Sequence, residues 1–186
     1  MTANETAAAE PGEVLAFWEN AGRESWFKQD DAFDSEIADR FLALHEQAAE
    51  GALDHWSSDA AACLALIIVL DQFSRNLFRN SAHAFAQDAQ ARKVAAAAVR
   101  RGFDSGFDPD MRAFLYLPFE HSEHLADQDR SVALFHSTGD GEFLAYAIVH
   151  RDVIRRFGRF PHRNSVLGRH TSPAEQAFLD AGGFSG

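Results

Sequence analysis

The sequence predicts an all-α protein, and three observations carry that expectation. Apolar residues recur at helical spacing through most of the chain. No segment sustains the alternation of apolar and polar side chains that a half-buried strand needs. The one β-branched run, Ile67-Ile68-Val69, sits inside a long helical pattern. Residues that start and stop helices punctuate the chain between these patterns. With 186 residues, 46% of them hydrophobic and 17 of them Phe, the chain can fill one core without disulfides or metals. We therefore expect a disordered tail over residues 1–10 and a single domain of about eight helices over 11–186.

Pro11-Gly12 opens the first helix, to about Ala21, with Val14, Leu15, Phe17 and Trp18 as its apolar face. Asp34 is expected to cap a second helix over 35–50, stopped by Gly51. Ser57 or Ser58 should cap a long third helix to Arg79, and the Ala-rich stretch 82–101 forms the fourth, closed by Gly102. Asp108-Pro109 reads as an N-cap with proline at the first helical position, beginning a helix to about Leu125 that Pro118 kinks. A shorter helix over 128–137 follows. Gly139-Asp140-Gly141 turns the chain into a helix over 142–157, which Gly158 and Pro161 end. Ser172-Pro173-Ala174-Glu175 has the pattern of a capping box before a last short helix to Ala181.

Composition narrows the function classes. A formal net charge of −11 disfavours DNA and other nonspecific nucleic-acid partners, which would be repelled at long range. The longest apolar run, 60–70, is shorter than the roughly 20 residues a bilayer crossing needs. The polar, acidic start has no basic region followed by an apolar stretch, so no secretory signal and no membrane partner are expected. The single cysteine, Cys63, allows no internal disulfide and fits a reducing, cytoplasmic setting.

Against that acidic background stands a basic island. Residues 150–170 hold six arginines and three histidines but one acid, Asp152. Like charges gathered this way repel unless something negative meets them, so the segment points to an anion-receiving site. The anion can be the protein's own carboxylates, a ligand, or both. A helical projection of 143–159 puts His150 and Arg151 on the flanks of the apolar face, with Asp152, Arg155, Arg156 and Arg159 pointing away. Arg151 and His150 then need inward partners, for which Asp71, Glu120 and Glu123 are available. Asp152 should pair with Arg155 or Arg156. His162, Arg163 and Asn164 fall on the loop after Phe160-Pro161, a common place for ligand contacts.

Two further polar clusters lie on segments that should be buried. In Leu70-Asp71-Gln72-Phe73-Ser74-Arg75-Asn76-Leu77-Phe78-Arg79, the residues Asp71, Arg75 and Arg79 are spaced to form one stripe continuing a buried face. In Pro118-Phe119-Glu120-His121-Ser122-Glu123-His124, the residues Glu120, Glu123 and His124 share a face if the helix continues. A carboxylate orienting a histidine suits acid–base work. The spacing matches no zinc-protease motif and lacks the second ligand pair of a di-iron bundle, so no metal is expected. The chain has no Gly-rich phosphate loop and no nucleophile elbow, and no cofactor is expected either.

The stretches LDQFSRNLFR, PFEHSEH and HRDVIRRFGRFPHRNSVLGR, with TSPAEQAFL after them, resemble a bacterial family classed as a domain of unknown function. The N-terminal VLAFWEN, WF, FDSEI and RF are similar too, so the resemblance spans nearly the whole chain. It implies a tetratricopeptide-like fold, a right-handed stack of antiparallel helix pairs. It implies no activity, and the chain lacks an overt tetratricopeptide signature.

Two functions remain open at this level. In the first, Asp71, Gln72, Arg75, Asn76, Arg79, Glu120, His121, Glu123, His124, His150, Arg151, Arg159, His162, Arg163 and Asn164 converge on a pocket for a small anionic molecule. His124, His150 or Glu120 would then be the acid–base candidates. In the second, the chain is a tetratricopeptide-like module binding a protein or peptide, and these clusters are a structural ion network.

Overall fold

The computed structural model describes residues 9–185, so most of the expected tail over 1–10 lies outside the described residues. Nine helices and several single turns of tighter helix make up the chain, with no strand among the described residues. Helix α1 (Pro11–Ala21) turns at Gly22, in the left-handed region at φ +72°, into the short α2 (Arg23–Trp26). Helix α3 (Asp31–Ala49) begins one turn earlier than expected because Asp30, not Asp34, accepts the first free N–H groups, from Ala32 and Phe33. Helix α4 (Ala60–Leu77) is likewise capped by Asp59, while Ser57 and Ser58 bond back to carbonyls within the turn Asp54–Ser58.

The expected helix over 82–101 is split. Ser81 caps a single turn, Ala82–Phe85, and helix α5 (Asp88–Arg100) starts after it. Helix α6 (Pro109–Glu120) ends two residues past Pro118 instead of running on to 125. Gln128 holds that ending by donating to the carbonyls of Glu120 and Ser122. Helix α7 (Leu125–Thr138), α8 (Gly141–Phe157) and the capping-box helix α9 (Pro173–Asp180) complete the set. Connections of four and two residues between α6, α7 and α8, which pack on one another, make two consecutive antiparallel helical hairpins.

Helix α4 is the axle of the domain. Residues 63–70 are all buried, and α1, α3, α5 and α6 pack around them. It is long and apolar enough by composition to cross a membrane, contrary to the expectation from the apolar run alone. However, 72% of it is buried inside the domain, as in a core helix. Its aromatic surroundings interlock, with Trp18 5.4 Å from Phe114 and 5.6 Å from Phe73, and Phe41 5.0 Å from Phe73. A second, smaller core of Val153, Ile154 and Phe160 gathers Phe157, Phe178 and Phe184 around the end of α8. Between these two cores the chain leaves a cleft.

Candidate functional site

The cleft has a volume of about 830 Å³ and is lined from α2, α4, α6, α8, the turn Ala82–Phe85, the turn Pro161–Arg163 and the C-terminal segment. Its polar wall begins in α4, where residues Ile68–Phe73 adopt a π-helical turn with i→i+5 bonding. One extra residue per turn changes the direction of every side chain beyond it. The expected stripe of Asp71, Arg75 and Arg79 accordingly disperses to three different partners. Asp71 accepts from His121 Nδ1 at 2.9 Å and from Gln72 Nε2 at 2.6 Å. Arg75 pairs with Asp88 at 2.7 Å and also donates to the Ala84 carbonyl, while Arg79 and Asn76 both reach Asp34. Gln72, Arg75, Asn76 and Arg79 all line the cleft.

Burial pushes the Asp71 carboxyl up, but His121 and then Arg75 overcome it and hold the group at about 2. The ionised carboxylate meets His121 Nδ1 and so fixes the orientation of the ring. This is an oriented histidine on the cleft wall. Next to it in sequence, Glu120 is 3% exposed, and burial with the neighbouring Asp71 charge pushes it up to about 8. Glu120 is therefore a neutral acid at pH 7. His150 Nδ1 donates to the Tyr146 carbonyl at 2.8 Å and lies 3.2 Å from Glu120 Oε1. Burial drives His150 down to about 3, aided by the charges of His121 and Arg163, so this contact joins two neutral groups and is no ion pair. His162 is lowered to about 4 by burial and by Arg163.

Arg163 is the most enclosed cation of the site. It donates to the His121 carbonyl at 3.0 Å, lies 3.4 Å from Asp88, and its guanidinium sits 4.5 Å from the rings of both Phe85 and Phe160. Burial lowers it to about 10, with Arg75 adding to the effect, and it stays charged at pH 7. Four cleft-lining residues each retain one buried polar atom without a hydrogen bond: Arg75 Nη2, Glu120 Oε2, His162 Nδ1 and Arg163 Nε. The carboxylate nearest to Arg75 Nη2, that of Asp71, is 3.9 Å away.

Other expected site residues fall elsewhere. Because α6 ends at Glu120, His124 leaves the shared face and is exposed at the start of α7, outside the cleft. Glu123 accepts two bonds from Arg169, at 2.7 and 3.0 Å, and one from the Phe160 N–H. Arg159 forks onto Glu175 at 2.6 and 2.8 Å. Asn164 is fully buried between Arg169 and Thr171. Arg151 meets Asp152 at 3.6 Å and reaches none of the acids expected for it, since Asp71 and Glu123 are already engaged and Glu120 is uncharged. Asp152 thus pairs with neither Arg155 nor Arg156, and Arg155 binds Asp129 instead. Most of the basic island is neutralised by the protein's own carboxylates.

The sequence reading missed Asp34 and Asp88 as the acids that hold the α4 arginines. It also missed the rings of Phe27, Phe85, Phe143, Tyr146 and Phe184 on the cleft. The aromatic residues are so frequent that no spacing singles these out, although His121 was legible beside Glu120. Among the described residues no three of His, Cys, Asp and Glu are grouped to hold a metal ion. Cys63 is buried within α4, and burial raises its thiol to about 11, which leaves it unreactive.

A sequence profile of a bacterial protein of unknown function (DUF924) matches residues 14–183. Among solved structures, the protein of unknown function ATU0120 from Agrobacterium tumefaciens is similar at 45% identity. The match covers 92% of this chain and 97% of that one, with a TM-score of 0.89. No curated protein matches the chain.

Proposed function

Since the chain belongs to the bacterial family of unknown function DUF924, which hands on no activity, we propose from the geometry that it binds a small carboxylate- or phosphate-bearing molecule in the cleft. One observation carries this reading. Four buried polar atoms without partners, on three separate segments, belong to residues lining a single cavity. A buried donor left unpaired costs on the order of 1–3 kcal/mol, so a fold that leaves several around one recess suits an incoming partner. An anion offers acceptors to Arg75 and Arg163, and neutral Glu120 can donate to it as well. The same cleft suits proton transfer, with His121, oriented by Asp71, as the base and Glu120 as the acid.

The alternative, a protein-interaction module with a structural ion network, draws support from the closed pairs Arg159–Glu175 and Arg169–Glu123. Thermal melts with phosphate, succinate and acetate separate the two. A binder at 100 times its Kd gains about 2.7 kcal/mol, an easily measured shift. Succinate affinity should weaken as pH rises through about 8, where Glu120 ionises, and Glu120→Gln, which keeps a donor, should remove that dependence. If no anion shifts the melt at any pH, the pocket reading fails.

A further inference from the structure

The two exposed aromatic side chains among the described residues, Phe27 at 57% and Tyr146 at 54%, line this same cleft. Isolated exposed rings are ordinary on a protein surface, but two on one recess with a polar wall form a shared feature. Phe143 connects them. Its ring lies 6.0 Å from Phe27, edge to face, and it precedes Tyr146 by three residues on α8, so the two lie on neighbouring turns of one face. Phe27 is held from beneath, stacked 6.3 Å from the buried Phe114 and edge-on to Trp26. A ring fixed before any ligand arrives loses little freedom on binding.

Size gives a second, independent indication. A recess of about 830 Å³ greatly exceeds what a phosphate or acetate fills and falls in the range of sites for larger organic molecules, about 300–1,000 Å³. We infer that the occupant is a small carboxylate or phosphate carrying a flat apolar ring system. The ring system lies against Phe27, Phe143 and Tyr146, and the anionic group meets Arg75 and Arg163. This rests on the anion-site reading above and adds the class of body attached to the anion. The wall belongs to a recess, not a broad flat patch, which favours a small molecule over a protein surface.

Isothermal titration of acetate and 2-naphthoate into the wild-type chain and the double variant Phe27→Ala/Tyr146→Ala tests it. Both side chains are exposed, so the variant should stay folded, as checked by its far-UV spectrum and melt. In the wild type, naphthoate should bind at least tenfold more tightly than acetate, a difference of about 1.4 kcal/mol. In the variant that preference should shrink to about threefold or less while acetate affinity holds, because the aromatic contacts alone are lost. Equal affinities in the wild type, or a preference that survives both substitutions, would overturn the ring assignment and leave the anion site standing. If neither compound binds the wild type, both readings fall together.

Discussion

Arg159, Arg163 and Arg169 lie within eleven residues of one another, yet they belong to two different kinds of region. Arg159 and Arg169 form a brace, in which each guanidinium forks onto one carboxylate and one backbone carbonyl, closing α9 and the 161–170 loop against α6 and α8. Arg163 sits in the cleft cluster, where Arg75 and Arg163 share Asp88, Glu120 is neutral, and polar atoms remain unpaired. In the brace every charge has its counterpart and none is left for a ligand. In the cleft the protein's own groups do not satisfy one another. Charge pairing, rather than charge content, separates structural arginines from candidate binding ones.

The largest expected effect falls on the brace. Arg169→Ala strands Glu123 half-buried, and chemical denaturation should show a loss of about 2–3 kcal/mol, less than for a fully buried pair because both side chains are partly exposed. Anion binding should persist wherever the variant is folded. A folded variant that no longer binds would break the distinction between the two regions.

Glu120→Gln should act oppositely on stability. The carboxyl stands at about 8 when folded against 4.5 when unfolded, so unfolding releases a proton between those values. Wild-type stability therefore falls as pH rises from about 4.5 to 8. The amide removes that penalty, so the variant should gain stability over the wild type progressively from about pH 4.5 to 8 and nothing near pH 4 in matched denaturation curves.

Arg163→Gln should lower succinate affinity about tenfold with a smaller loss of stability, because Arg75 remains to neutralise Asp88. Calorimetry and melts on the same sample would reveal the opposite ranking if Arg163 were a brace residue.

The smallest expected effect concerns the C-terminal segment. A Cβ added at Gly183 would stand 2.5 Å from the Phe178 ring, so Gly183→Ala must displace the segment that seats Phe184 4.2 Å from His150. His150 should become more hydrated and titrate higher than about 3, as followed by its imidazole NMR signals.

Helical class, single-domain size, the family resemblance and several caps such as Asp108 and the Ser172–Glu175 box were legible in the sequence, because they depend on neighbours within four residues. Of the polar residues singled out from the sequence, Gln72, Arg75, Asn76, Arg79, Glu120, His121, His150, His162 and Arg163 line one cleft. Their partners were not legible. The 100° projection fails past the end of α6, which misdirected His124. Arg151 was misjudged for another reason, since the acids expected to meet it were engaged or uncharged.

What the sequence determined by itself is where helices form and which of their faces turn inward, since spacing and capping are local properties. Only the tertiary structure decided which arginine meets which carboxylate and which acid stays protonated. Those outcomes depend on burial and on groups 37 to 87 residues apart in the chain, such as Glu123 with Phe160 and Arg169, Asp34 with Arg79, and Arg23 with Asp110. Packing sets those distances, and Coulomb energy at close range in a low dielectric then selects the pairs.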